Sequence, residues 1–173
     1  MRFNNQLFKK TKTRRLVSAW TGIKDAKKLI KHITPFKHIF DQIILMCGAP
    51  VNGKLPDSWS IKARRYLVEE MKKRKISVFN DYGGGWEKCG DKICESSNQM
   101  EKTVSLIMND CETTGADGVD IDFEKWPAGT RFLYTEFIEC LASKLHKNGK
   151  LLSICAYPYN SASRREVGIG FID

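Results

Sequence analysis

Short runs of branched apolar residues alternate with stretches of helical periodicity, joined by brief turns. This rhythm constrains the fold more than any other feature of the chain. Leu16–Trp20, His38–Cys47, Lys75–Asn80, Ala116–Glu124 and Lys150–Tyr157 read as strands. Between them lie helical patterns. Ala26, Leu29, Ile30 and Ile33 form one apolar stripe; Ala63, Leu67 and Met71 form the next, within Ile61–Arg74. A third holds Met100, Val104, Ile107, Met108 and Cys111, opened by Ser96 and Gln99 at capping-box spacing and closed by Gly115. A fourth, capped by Thr130 and ended at Asn148-Gly149, points Leu133, Phe137, Leu141 and Leu145 inward. Strand, helix, strand with short links implies an α/β fold with a parallel sheet and covering helices. Each unit takes roughly 30 residues, so 173 residues hold about five βα units.

Charge is distributed unevenly. The chain has 29 Lys and Arg against 20 Asp and Glu. Residues 1–31 carry ten of those bases and one acid, Asp25, so the whole excess of +9 sits at one end. The expected division is a basic arm over residues 1–14 and one folded unit over 15–173. Any contact with nucleic acid would rest on that arm alone, and its plainer reading is a solvated face, so nucleic acid is not the expected partner. Met1–Thr13 lacks the apolar segment and cleavage pattern of a secretory signal. No apolar run reaches the 18 residues a membrane span needs, and no membrane partner is expected. Compartment stays open on these grounds.

Six cysteines, Cys47, Cys89, Cys94, Cys111, Cys140 and Cys155, form no Cys-x-x-Cys pair. No histidine stands at ligand spacing from them, so no metal site and no cofactor is expected. Cys47, Cys111, Cys140 and Cys155 fall in apolar patterns and read as small buried hydrophobes. Cys89 and Cys94 flank a polar loop and are read as free thiols that could bridge in an oxidising compartment.

The segment Asp117-Gly118-Val119-Asp120-Ile121-Asp122-Phe123-Glu124 carries the chemistry. Strand side chains alternate, so Val119, Ile121 and Phe123 share the face toward the helices. Asp120, Asp122 and Glu124 share the other, which faces whatever the sheet encloses. Carboxylates filed along one partly shielded face repel one another and are costly to desolvate. Such a row is expected to share a proton among its members. Hard-metal binding and acid–base work on a glycosidic bond both use clustered acids, but the flanking Val, Ile and Phe belong to a strand rather than a calcium loop.

This row resembles the Asp-Gly-x-Asp-x-Asp-x-Glu signature of glycoside hydrolase family 18, the chitinase family. All its fixed positions match: Asp117, Gly118, Asp120, Asp122 and Glu124. Gly84-Gly85-Trp86 is similar to the end of that family's third strand, Ser-x-Gly-Gly, with Tyr82 where the Ser would fall. Leu151–Pro158 resembles its fifth strand. The resemblance implies a (β/α)8 TIM-barrel type of fold, of which this chain holds about five βα units, an incomplete barrel. It also implies a retaining, substrate-assisted hydrolysis of β-1,4-linked N-acetylglucosamine polymers such as chitin, chitooligosaccharides or the N-glycan core. By that resemblance Glu124 is the general acid, Asp122 orients the substrate's N-acetyl group, and Asp120 trades a proton or hydrogen bond with Asp122.

Trp86, Trp126, Tyr157, Tyr159 and Gly84 are the candidates for contact with the sugar; Trp20 and Trp59 are weaker ones. Asp117 and Gly118 are structural members of the motif. The family's later Met-x-Tyr-Asp motif and late-strand Trp have no counterpart here, so a C-terminal half is the expected complement. Two further readings stand beside the enzyme: a chitinase-like sugar-binding protein without turnover, and an inactive truncated fragment.

Overall fold

The structure is a computed structural model. It describes residues 15–51, 53–56, 58–85, 93, 95–124 and 131–155, with the side chains of 85, 124 and 131 excepted. Five strands, β1 (Ser18–Thr21), β2 (Gln42–Met46), β3 (Ser77–Gly85), β4 (Gly118–Glu124) and β5 (Leu151–Ile154), lie in chain order in one sheet. Every neighbouring pair is parallel. The helices between them are α1 (Ala26–Ile33), α2 (Ile61–Lys73), α3 (Ser97–Thr114) and α4 (Arg131–Lys147). The alternation read from the sequence is therefore the architecture.

Helix starts follow local chemistry. Asp25, Ser60 and Ser96 each accept the backbone N–H three residues on, from Lys28, Ala63 and Gln99 at 3.0 to 3.2 Å. Gly115, with φ +74°, ends α3 in the left-handed region.

The strand bounds differ from those expected, and for two strands the cause is plain. The sequence predicts strand from His38, but Thr34–Phe36 forms a 3-10 turn with Pro35 in its first turn, and pairing begins only at Gln42. β3 instead runs on from Asn80 through Asp81 and Tyr82 to Gly85, because β4 supplies a pairing partner for each of those residues. Hydrogen bonds from the neighbouring strand outweigh the turn tendency of consecutive glycines.

One face of the sheet packs on the helices. Val119, Ile121 and Phe123 are buried there with Leu67, Met71, Val104, Ile107, Phe137, Leu141 and Leu145. The Phe123 and Phe137 rings stack with centroids 5.9 Å apart. Leu133, expected inward, is partly exposed, and Tyr134 is the residue buried in that turn of α4. Trp59 is a core residue rather than a surface aromatic. Of the cysteines, Cys47 and Cys111 are buried, and burial pushes their thiols up to about 12 and about 11. Cys140 and Cys155 are only partly buried, and Cys155 belongs to the opposite face of the sheet. Cys89 and Cys94 lie outside the described residues, as do the basic arm and Thr130.

The helix side also holds a buried polar knot. Arg64 of α2 donates from both terminal nitrogens to Asp110 of α3 at 2.5 and 2.7 Å. Asn80 and Tyr82 of β3 donate to the same carboxylate, and Asn80 also donates to the Thr114 hydroxyl at 3.0 Å. Both charges are almost sealed from water. The knot ties two helices to the middle strand.

Candidate functional site

The other face of the sheet carries the acids. Asp117 and Val78 exchange hydrogen bonds: the Asp117 N–H donates to the Val78 carbonyl at 2.8 Å, and the Val78 N–H donates to an Asp117 carboxylate oxygen at 2.9 Å. This sets the register of β4 on β3 just where β4 begins. Gly118 follows because nothing larger fits. A Cβ there would lie 2.5 Å from the Leu151 carbonyl oxygen and 2.6 Å from the Phe79 ring. The Asp-Gly start of the motif thus has a purely structural explanation.

From that register the acidic row is laid out. Asp120 pairs with Asp81, Asp122 with Gly83, and Glu124 with Gly85. Residues paired across parallel strands share a face, so Asp81 joins the row. Asp120 is 1 % exposed and Asp81 2 %, while Asp122 is half-buried. Of Glu124 the structure describes the backbone, last on β4 and two positions beyond Asp122.

Three donors meet Asp120. Trp20 of β1 donates its indole N–H to Oδ2 at 3.2 Å. Ser153 of β5 donates to Oδ1, and the Cys155 thiol, just past β5, lies 3.7 Å from Oδ2. The Trp20 bond has architectural meaning. β1 and β4 are separated by two strands, roughly 14 Å in a flat sheet. A single indole bridges them only because the sheet curls around this face. The acids therefore lie in the trough of a concave sheet, with the Trp20 ring 49 % exposed beside them.

Asp81 differs from Asp120. Its Oδ1 is sealed from solvent and has no hydrogen-bond partner among the described residues. Burial pushes its carboxyl up to about 7, with the charges of Asp120 and Asp122 adding to the effect. Burial, then Asp122 and Asp120, also push the Cys155 thiol well above its usual range, so it is no nucleophile at neutral pH.

The sequence reading missed Asp81. The resemblance put Tyr82 at the serine position of the third strand, but the Tyr82 hydroxyl enters the helix-side knot and donates to Asp110. A shift of one residue exchanges the two faces of a strand, and Asp81 is the residue that stands beside Asp120. The signal that could have found it is the Asp two positions before Gly83, at the spacing of a shared face. Trp20, one of the weaker candidates by sequence, is brought to the row. Gly84 pairs with Phe123, has φ +150°, and a Cβ on it would come within 3.2 Å of the Ala49 side chain. Trp86, Trp126, Tyr157 and Tyr159 lie outside the described residues.

No family model matches the chain, and no curated protein matches it by sequence. Solved structures do match its fold. The C-terminal domain of a candidate chitinase from Desulfitobacterium hafniense DCB-2 aligns with a TM-score of 0.77 at 20 % identity, over 88 % of this chain and 49 % of its own. The spore cortex-lytic enzyme SleL of Bacillus cereus aligns with a TM-score of 0.68 at 15 % identity, over 91 % of this chain and 37 % of its own. Human YKL-39, described as a pseudo-chitinase with retained chitooligosaccharide binding, aligns with a TM-score of 0.66 at 16 % identity, over 79 % of this chain and 42 % of its own. The chain thus spans about half or less of the structures it resembles. Its five-stranded parallel sheet has the fold of part of a chitinase TIM-barrel domain.

Proposed function

We propose that this chain is part of a glycoside hydrolase family 18 barrel that acts on glycans containing β-1,4-linked N-acetylglucosamine. The observation that carries the reading is the acidic row itself. Asp120 and Asp122 stand on the concave face of a fourth strand, Glu124 follows at its end, and the surrounding fold is that of chitinase domains.

The chemistry follows from the order of the row. Glu124, at the mouth, protonates the leaving glycosidic oxygen. The acetamido oxygen of the substrate attacks the anomeric carbon in place of an enzyme nucleophile, and Asp122 orients and stabilises that group. Water then completes hydrolysis with net retention, Glu124 taking its proton. Asp120, held by Trp20, Ser153 and Cys155, fixes the floor against which Asp122 turns. Trp86, Trp126, Tyr157, Tyr159 and Gly84 are proposed to line the path of the sugar. The remaining strands of the barrel would come from a C-terminal half.

A second reading is sugar binding without turnover. It is favoured by the likeness in fold to YKL-39, a pseudo-chitinase with retained chitooligosaccharide binding. Retention of Glu124 favours the enzyme. A chromogenic N-acetylglucosamine oligomer offered to the wild-type chain and to Glu124→Gln separates the two. Turnover lost in the variant with binding kept supports hydrolysis. Binding without turnover in both supports the second reading. Turnover unaffected by the change removes Glu124 as the acid.

A further inference from the structure

We propose that Asp81 is the carboxyl that holds the shared proton of the acidic row and thereby positions Asp122. The argument begins from an asymmetry between neighbours. Asp120 and Asp81 are paired residues on adjacent strands and equally buried. The oxygens of Asp120 are met by Trp20, Ser153 and Cys155, three donors on two other strands and the end of one of them. Each oxygen of Asp120 therefore has a donor to satisfy it. Asp81 has an oxygen, sealed from water, that meets no donor among the described residues. An anion with an unsatisfied oxygen in such a place is the costliest form it could take, and a protonated carboxyl is the cheapest.

Gly83 shows where that carboxyl is directed. A Cβ built on Gly83 would lie 3.2 Å from Asp81 Oδ1 and 3.1 Å from Asp122 Cβ. The gap left by this glycine is bounded on one side by the unpartnered oxygen and on the other by Asp122. No side chain of β3 stands between them. The geometry suits a proton rather than a cation: the described side chains form no group of three His, Cys, Asp or Glu arranged to hold a metal ion.

The groups around Asp81 agree. From β2 Met46 is in register with it, and from β1 Trp20 reaches the neighbouring Asp120. The Cys47 N–H donates to the Asp81 backbone carbonyl at 3.0 Å. Asp120, in register with it, and Asp122 face it from β4; Ser153 and Cys155 meet Asp120 from β5 and its end, and Tyr134 of α4 stands near Asp120 and Asp122. Burial and these acids raise the Cys155 thiol and the Tyr134 phenol, so neither carries charge near neutral pH. No lysine, arginine or histidine is among these groups. The charges that act on Asp81 are those of Asp120 and Asp122, both negative, and both favour its protonated form.

The inference deepens the function proposed above: only the use of Asp122 on an acetamido group rests on that reading. The place of the proton can be tested without turnover. The full chain, labelled with 13C at the aspartate side-chain carboxyls, is titrated from about pH 3 to 9 by NMR, with Asp81 assigned in the wild type through its own Hβ correlations. The expected result is a carboxyl of Asp81 that titrates within about one pH unit of neutral, with a matching inflection in the Asp122 signal. In Asp81→Asn both the neutral titration and the Asp122 inflection disappear. In Asp120→Asn the Asp81 titration persists at lower pH, because a negative neighbour is gone. A wild-type Asp81 that titrates in the ordinary aspartate range, or a neutral titration assigned to Asp120 or Asp122 that survives in Asp81→Asn, overturns the proposal. Direct assignment in the wild type decides the matter even if a variant fails to fold. Failure of the Glu124→Gln assay would leave this result standing, and the reverse also holds.

Discussion

Asp110 receives the Arg64 guanidinium in a two-point bond, 2.5 and 2.7 Å, inside the layer between sheet and helices. Both side chains are below a tenth exposed, so neither charge can fall back on water. The same carboxylate takes the Tyr82 hydroxyl and an Asn80 amide hydrogen. The middle strand of the sheet is thereby fixed to α2 and α3 by polar contacts on one face while its other face presents Asp81 to the trough.

Breaking this knot from the acidic side should cost most. Asp110→Ala strands a buried guanidinium, a phenol and an amide together, and should lower unfolding free energy by about 3–5 kcal/mol. The pair Arg64→Met with Asp110→Leu should lose less than the two single changes summed, since no charge remains unpaired. Urea unfolding at neutral pH measures both. An Asp110→Ala variant as stable as wild type would mean that the knot contributes nothing.

Gly118 offers a steric test with an internal control. Gly118→Ala drives a methyl against the Leu151 carbonyl and the Phe79 ring, and should destabilise by about 1–3 kcal/mol. Gly22→Ala meets nothing within 4 Å and should stay within about 0.5 kcal/mol of wild type. Thermal melts of the two variants decide. Equal effects would mean that the close approach of β5 to β4 does not constrain the start of the motif.

Asp81 makes stability depend on pH with a definite sign. The folded chain keeps its proton up to about 7, whereas an unfolded aspartate releases it near 3.8. Between those values the folded form binds more protons, so stability falls as pH rises through the window and the loss is complete above it. The upper bound is on the order of 4 kcal/mol. Asp81→Asn should therefore leave stability nearly unchanged at pH 4 and raise it at pH 8. Unfolding free energies at the two pH values check this, and a variant effect that is the same at both would refute it.

Trp20 combines an exposed ring with a buried hydrogen bond to Asp120. If the trough takes an N-acetylglucosamine oligomer, Trp20→Ala should weaken its binding by about tenfold, the worth of one aromatic contact. Trp20→Phe keeps a ring and should lose less. Isothermal titration with chitotetraose measures both variants, and unchanged affinity in Trp20→Ala would take Trp20 out of the binding surface.

The sequence by itself determined what is local. The period-two alternation of Val119, Ile121 and Phe123 against Asp120 and Asp122 was enough to assign two faces to β4, because strand geometry leaves no other choice. Ser60, Ser96 and Gly115 were enough to begin and end helices, because a cap acts within a few residues.

Tertiary structure decided what depends on neighbours distant in the chain. Only the register of β3 on β4 puts Asp81 beside Asp120 and turns Tyr82 toward Asp110, and a single residue of slip would exchange them. Only the curl of the sheet brings Trp20 across two strands to Asp120. Arg64 and Asp110 are 46 residues apart, and each reads in sequence as an ordinary polar residue of a surface helix. Pairing, curvature and burial are properties of several segments at once, so no single stretch of residues could encode them.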